Sequence, residues 1–140
     1  MFREMEILHD SEIVLVSEDG CLLGRVEAGF SAASYAVRIS DRDEVVEHVA
    51  WNLFEALAKV RTDLQQAGLK PAVEGACRDV YPSRMALEMG GGRKAYRWPV
   101  TDRPVTVGIF DPVPSSEYGR LAYVEEQRVS VDRLRSEGSG

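Results

Sequence analysis

The chain has only two cysteines and two histidines in 140 residues, and it lacks both a basic excess and a long apolar run. Cys21 and Cys77 form no C-x-x-C pair, so buried free thiols are expected in place of a disulfide framework. His9 and His48 show no metal-ligand spacing with each other or with the cysteines, and neither a metal nor a cofactor is expected. No apolar stretch approaches the roughly 20 residues that a membrane-spanning helix needs. The opening MFREMEILHD places acids where a signal peptide has its apolar segment. The expectation is a cytoplasmic protein with no membrane contact. A formal charge of −6 disfavours broad attraction to nucleic acid, which requires a basic face.

Catalytic motifs are also missing. Ser83 follows a proline and has no G-x-S-x-G elbow around it, and a histidine base would have to be brought near it by folding alone. Nothing around Asp79 or Glu88 predicts a raised pKa. No catalytic residue is assigned, and the enzyme reading is disfavoured.

What is present is an ordinary globular composition, 44% hydrophobic and 29% charged, of a length that suits one core. The charge is uneven: residues 1–50 carry eleven acids against four bases, whereas residues 51–100 carry five acids against eight bases. Either the two regions neutralise each other within the fold, or an acidic face is left for a basic partner.

The pattern predicts an α+β fold in a single domain, an antiparallel sheet with one long amphipathic helix packed on it. EIVLVSEDGCLLGRVEAG reads as a hairpin turning at Asp19-Gly20, and SYAVRIS alternates like a strand with one buried face. From Asp43, Val46, Val49, Ala50, Leu53, Leu57, Val60 and Leu64 recur at helical spacing, with Asp41 or Asp43 as N-cap and Gly68 as C-cap. On that helix Trp51 points away from the apolar stripe near Glu55, which makes the two a candidate partner contact unless another element covers the tryptophan. KPAVEGAC, RKAYRWPV and RPVTVGIFDP read as further strands. The turn-rich DPVPSSE divides a core domain, 1–112, from an appendage, 113–140, in which 118–136 is open between helix and strand. The closing SEGSG carries no structural signal and is expected to be a frayed or disordered end or an expression remnant.

MGGGRKAY, Met89 to Tyr96, invites a phosphate-loop reading that its context opposes. No Ser or Thr follows Lys94, and the continuation reads as a strand. Tyr81-Pro82 is extended, Ser83 caps a short turn from Arg84 to Met89, and Gly90 is expected to close it in the left-handed conformation. Gly91 and Gly92 are not explained by capping; a close backbone crossing or a partner contact are the options. The candidate anion or ligand site is Arg78, Ser83, Arg84, Arg93 and Lys94, framed by the loop residues Tyr81, Pro82, Gly90, Gly91, Gly92 and Tyr96. The structural alternative is that these arginines pair with the acidic N-terminal third.

The run GACRDVYPSRMALEMGGGRKAY resembles a signature of small, mostly uncharacterised bacterial cytoplasmic proteins, V-[YF]-P-S-x-M, then M-G-G-G or M-G-x-G and A-Y, then an IFD-like segment. Val80 to Ser83, Met85, Met89, Gly90, Gly92, Ala95, Tyr96 and Ile109-Phe110-Asp111 match, and Arg84 departs where a glycine is expected. The resemblance implies an immunity or accessory protein of a bacterial toxin system and brings no catalytic residues. The expected function is therefore non-enzymatic protein binding, with a basic toxin as the concrete partner. The alternative is a small-ligand, nucleotide or RNA-binding protein using the Arg78 to Lys94 region, and an enzyme of unknown reaction comes third. Oligomeric state is open.

Overall fold

A computed structural model describes residues 5–138, with the side chains of 137 and 138 left out of the description. Two twelve-residue strands, β1 (Glu6–Ser17) and β2 (Gly20–Ser31), form the predicted hairpin, paired from Glu6↔Phe30 to Ser17↔Gly20. β3 (Ser34–Ser40) and β4 (Val45–Ala50) extend it, and β5 (Lys70–Pro71) adds to the far side of β1, giving the antiparallel order β4-β3-β2-β1-β5. The α+β class and the single domain are as expected. Ile13, Leu15, Val26, Ala28, Val37 and Ile39 line one face of this sheet and are buried in one core with the apolar residues of α1 (Leu53–Gln65).

The long helix is shorter than its apolar spacing predicts. Val45 to Ala50 is strand β4, paired with β3 from Ser40↔Val45 to Tyr35↔Ala50. Three valines in six residues fit a pleated surface better than a helical turn. The true N-cap is Asn52, whose Oδ1 accepts from the Glu55 amide at 2.8 Å. Asp41 instead holds the β3–β4 turn by accepting from the amides of Asp43 and Glu44. At the other end Gly68, at φ +71°, does close the helix: its amide donates to Gln65 O and the Leu69 amide to Leu64 O.

A second, smaller sheet has the order β6 (Val80–Tyr81), β7 (Lys94–Arg97), β8 (Thr106–Gly108). Of KPAVEGAC, expected as a strand, only Lys70–Pro71 is one; Val73 and Cys77 make isolated bridges to Pro112 and Leu121, and Glu74–Ala76 is a 3-10 turn pressed so closely on Ile109 that a Cβ on Gly75 would lie 2.9 Å from the Ile109 carbonyl. Between β6 and β7 lies α2 (Arg84–Met89). Residues 118–136 resolve into the end of a 3-10 turn and then α3 (Val124–Gly138). Val113, Leu121, Ala122 and Val131 are buried, so the segment beyond 112 shares the core of the residues before it. SEGSG lies partly outside the described residues.

Candidate interaction surface

Trp51 stands in the two-residue bend between the end of β4 and the start of α1. Asn52 is spent as helix cap and Leu53 turns into the core, so the indole is left outside and 81% exposed. Among the described residues no other element covers it. A groove of about 550 Å³ runs beside it, lined by Trp51, Glu55, Tyr81, Arg84, Leu87 and Arg135. Tyr81 packs edge-on against Phe54 at 4.8 Å, which anchors this wall to the core. The Arg135 guanidinium of α3 lies over Tyr81 and over Trp98, 4.7 Å from the latter's centroid. Trp98 in turn donates its indole N–H to Tyr81 O.

The rim of the groove is α2. Ser83 caps it as expected, its Oγ accepting from the Ala86 amide at 3.1 Å. The C-terminal cap differs: Gly90 has φ −103°, and the left-handed residues are Gly91 and Gly92 at +67° and +73°. The amides of Gly90 and Gly92 both donate to Ala86 O, so the turn is closed by its second and third glycines. Those two also make a close backbone crossing. A Cβ on Gly91 would lie 2.6 Å from Tyr35 Oη, and one on Gly92 would lie 2.9 Å from the Phe54 amide nitrogen. The Leu53 amide donates to Gly91 O at 2.7 Å. The glycine loop is thereby bolted to the first turn of α1, next to Trp51. α2 buries no residue; Arg84, Leu87 and Glu88 face the groove, while Met85 and Met89, 69% and 82% exposed, do not line it.

The predicted anion set divides. Arg84 faces the Trp51 groove, whereas Arg93 and Lys94 line a different one of about 420 Å³ with His9 and Phe110. His9 stacks on Phe110 at 4.9 Å, and burial lowers its pKa against the opposing pull of Asp10 and Asp111. Arg78 is exposed and its amide donates to Arg120 O; it lines neither groove. The Ser83 hydroxyl is occupied by the cap. Tyr96 packs edge-on to Trp98. Arg135 escaped sequence reasoning, because the helical character of 124–138 is weak in its pattern.

A scan against protein-family models finds no match for this chain, and a search of curated proteins finds none either. The surface has to be read on its own chemistry.

The strongest polar clusters are satisfied internally except at the Nε atoms of Arg61 and Arg97, which are buried and find no hydrogen-bond partner among the described residues. Glu74, 4% exposed, accepts from Arg97 and from Arg120, and Arg120 also reaches Asp79 and Glu117. Burial pushes the Glu74 carboxyl up, yet the hydrogen bonds from Arg120 and Arg97 outweigh it and hold it below the usual range. Arg61, 3% exposed, donates to Gly75 O, Ala122 O and Gln127 Oε1, and burial lowers its pKa to about 10. Cys77 is buried and its thiol is pushed up to about 12 by burial, as suits a structural thiol; Cys21, expected inside, is exposed. Among the described residues no group of three His, Cys, Asp or Glu side chains could hold a metal ion, and no helix is long and apolar enough to cross a membrane. Among the described residues the arginine ion pairs of the acidic third lie within it, Asp10 with Arg25 at 2.7 Å and Glu27 with Arg38 at 2.8 Å, whereas His48 reaches out to Asp63 of α1 at 2.7 Å.

Proposed function

We propose that this chain is a non-enzymatic protein-binding protein, most concretely a bacterial toxin-immunity or accessory protein acting in the cytoplasm on a basic partner. The observation that carries the reading is Trp51: a tryptophan 81% exposed, on a bend fixed by a helix cap and a glycine loop, with a groove beside it. Covering an indole removes about 150–250 Å² from water, and tryptophan is the residue type most enriched among energetically dominant contacts. A rigid mount lowers the ordering cost of using it. The acids of residues 1–50, of which Asp10 and Glu27 pair with Arg25 and Arg38 of the same third among the described residues, support a basic partner, since complementary charge speeds encounter and selects against wrong partners. The test is affinity capture from the native host with wild type and Trp51→Ala. A basic protein retained by the first and lost by the second, at equal thermal stability, supports the reading; capture that is indifferent to Trp51 removes its basis.

One observation favours a second reading. Arg93 and Lys94 share a groove with the stacked His9 and Phe110, a cationic wall beside an aromatic one, which suits a nucleotide or a single-stranded RNA end. Titration of nucleotides and short RNA into wild type and the double charge reversal Arg93→Glu, Lys94→Glu decides it. Salt-sensitive binding confined to wild type is the supporting result.

A further inference from the structure

The β1–β2 hairpin is longer than the sheet beside it. β3 pairs with β2 only as far as Ser40↔Arg25, while β2 continues to Gly20, held there by β1 alone. β3 peels away at Gly24, where a Cβ would stand 2.5 Å from Ser40 O, so no side chain fits at the point of departure. Among the described residues nothing pairs with Gly20 to Leu23 on the side away from β1, which leaves an open backbone edge there. Sheet edges in soluble proteins are usually blunted by a charge, a proline or a bulge on the strand, and this one carries Gly, Cys, Leu and Leu. Leu22 and Leu23 are 46% and 69% exposed, on opposite faces of the strand.

Alongside this edge lies the largest groove described, about 870 Å³, with Leu22 and Leu69 on its apolar side. Its polar side holds Asp19, Asp41, Asp43 and Glu44, against the single base Arg42. Both acidic turns fall at the same end of the sheet because β1–β2 and β3–β4 are successive antiparallel hairpins. Charge decides the occupant: a second copy would bring the same four acids onto themselves, whereas a cationic strand would meet them.

We infer that the Gly20–Leu23 edge is a strand-addition site for an extended polypeptide segment of a partner that alternates basic and apolar side chains. The segment continues the sheet along β2 from the point where β3 leaves, with main-chain hydrogen bonds to the open edge. Its apolar side chains lie over Leu22 and Leu69, and its cations stand within the field of the four acids that line the same groove. This site is separate from the Trp51 groove and does not depend on it.

The probe is a fluorescently labelled acetyl-(Lys-Val)3 amide peptide, with (Glu-Val)3 as its charge-reversed counterpart, titrated into the full chain by anisotropy. The lysine peptide is expected to bind, weakening as salt rises, and the glutamate peptide is expected not to. Amide shift changes should centre on Cys21, Leu22 and Leu23. The triple variant Asp41→Asn, Asp43→Asn, Glu44→Gln should weaken binding about tenfold, while Trp51→Ala leaves it unchanged. Peptides N-methylated on either the lysine or the valine amides separate strand addition from charge alone, because a strand turns alternate amides to its neighbour. Loss of binding in one or both supports the inference, and full retention in both overturns it. No binding of (Lys-Val)3, or shift changes centred on Trp51, overturns it as well. So does a dimer at low salt, seen by sedimentation, that the peptide displaces.

Discussion

The Leu53 amide donates to the Gly91 carbonyl at 2.7 Å, joining the first turn of α1 to the loop that follows α2. Through this bond a glycine run that looks like ligand chemistry serves to fix the bend that displays Trp51.

Alanine substitutions grade that role. Gly68, Gly91 and Gly92 all have left-handed backbones, and an alanine at such a position costs about 1 kcal/mol or more. Gly68 has open space around it, so Gly68→Ala should cost only that. At Gly91 the obstacle is the end of the Tyr35 side chain, which can shift, whereas at Gly92 it includes the backbone amide of Phe54. Denaturant midpoints should fall in the order Gly68→Ala, Gly91→Ala, Gly92→Ala, the last losing about 3 kcal/mol.

Gln127 is the second joint. Its Oε1 accepts from Arg61, and its Nε2 lies 2.9 Å from each of the carbonyls of Gly75, Cys77 and Val80. Gln127→Ala leaves a buried guanidinium and several carbonyls short of partners, and it is expected to cost about 3 kcal/mol in equilibrium unfolding. A loss below about 0.5 kcal/mol would show that α3 is not held by this network.

Glu74 sets an acid limit on stability. Its folded pKa is held below the ordinary glutamate value, so its contribution is complete above that ordinary value and is lost as pH falls through the lowered folded one. Glu74→Gln should lower stability near neutral pH by about 2 kcal/mol, since it leaves Arg97 and Arg120 facing a neutral group while Arg97 stays partly in water. The gap between the variant and wild type should narrow on acidification. Unfolding curves measured from neutral pH down to about pH 3 check both the size and the sign.

Much of the fold was legible where local chemistry and tertiary pairing agree. SYAVRIS alternates and is β3, Ser83 caps α2, and Gly68 closes α1. Val46 and Val49 were misassigned because i, i+3 spacing and strand alternation overlap across a short apolar run, and only β3 chooses between them. The apolar spacing places Trp51 on the helix and leaves it open between exposure and cover by another element; the bend before Asn52, outside α1, is what turns the indole outward. The division of Arg84 from Arg93 and Lys94 was not legible, because the chain folds back at Gly91-Gly92 through contacts with Tyr35 and Asn52, distant in sequence. For the same reason the partners of Glu74 and Arg61, Arg120 and Gln127, carry no local signal.

Trp51 is 81% exposed, so Trp51→Ala should change unfolding stability by less than about 0.5 kcal/mol. The decisive measurement is the affinity of the captured partner for wild type and Trp51→Ala by calorimetry. The expected result is a loss of at least tenfold in Kd at unchanged stability; equal affinities would contradict a binding role for this face.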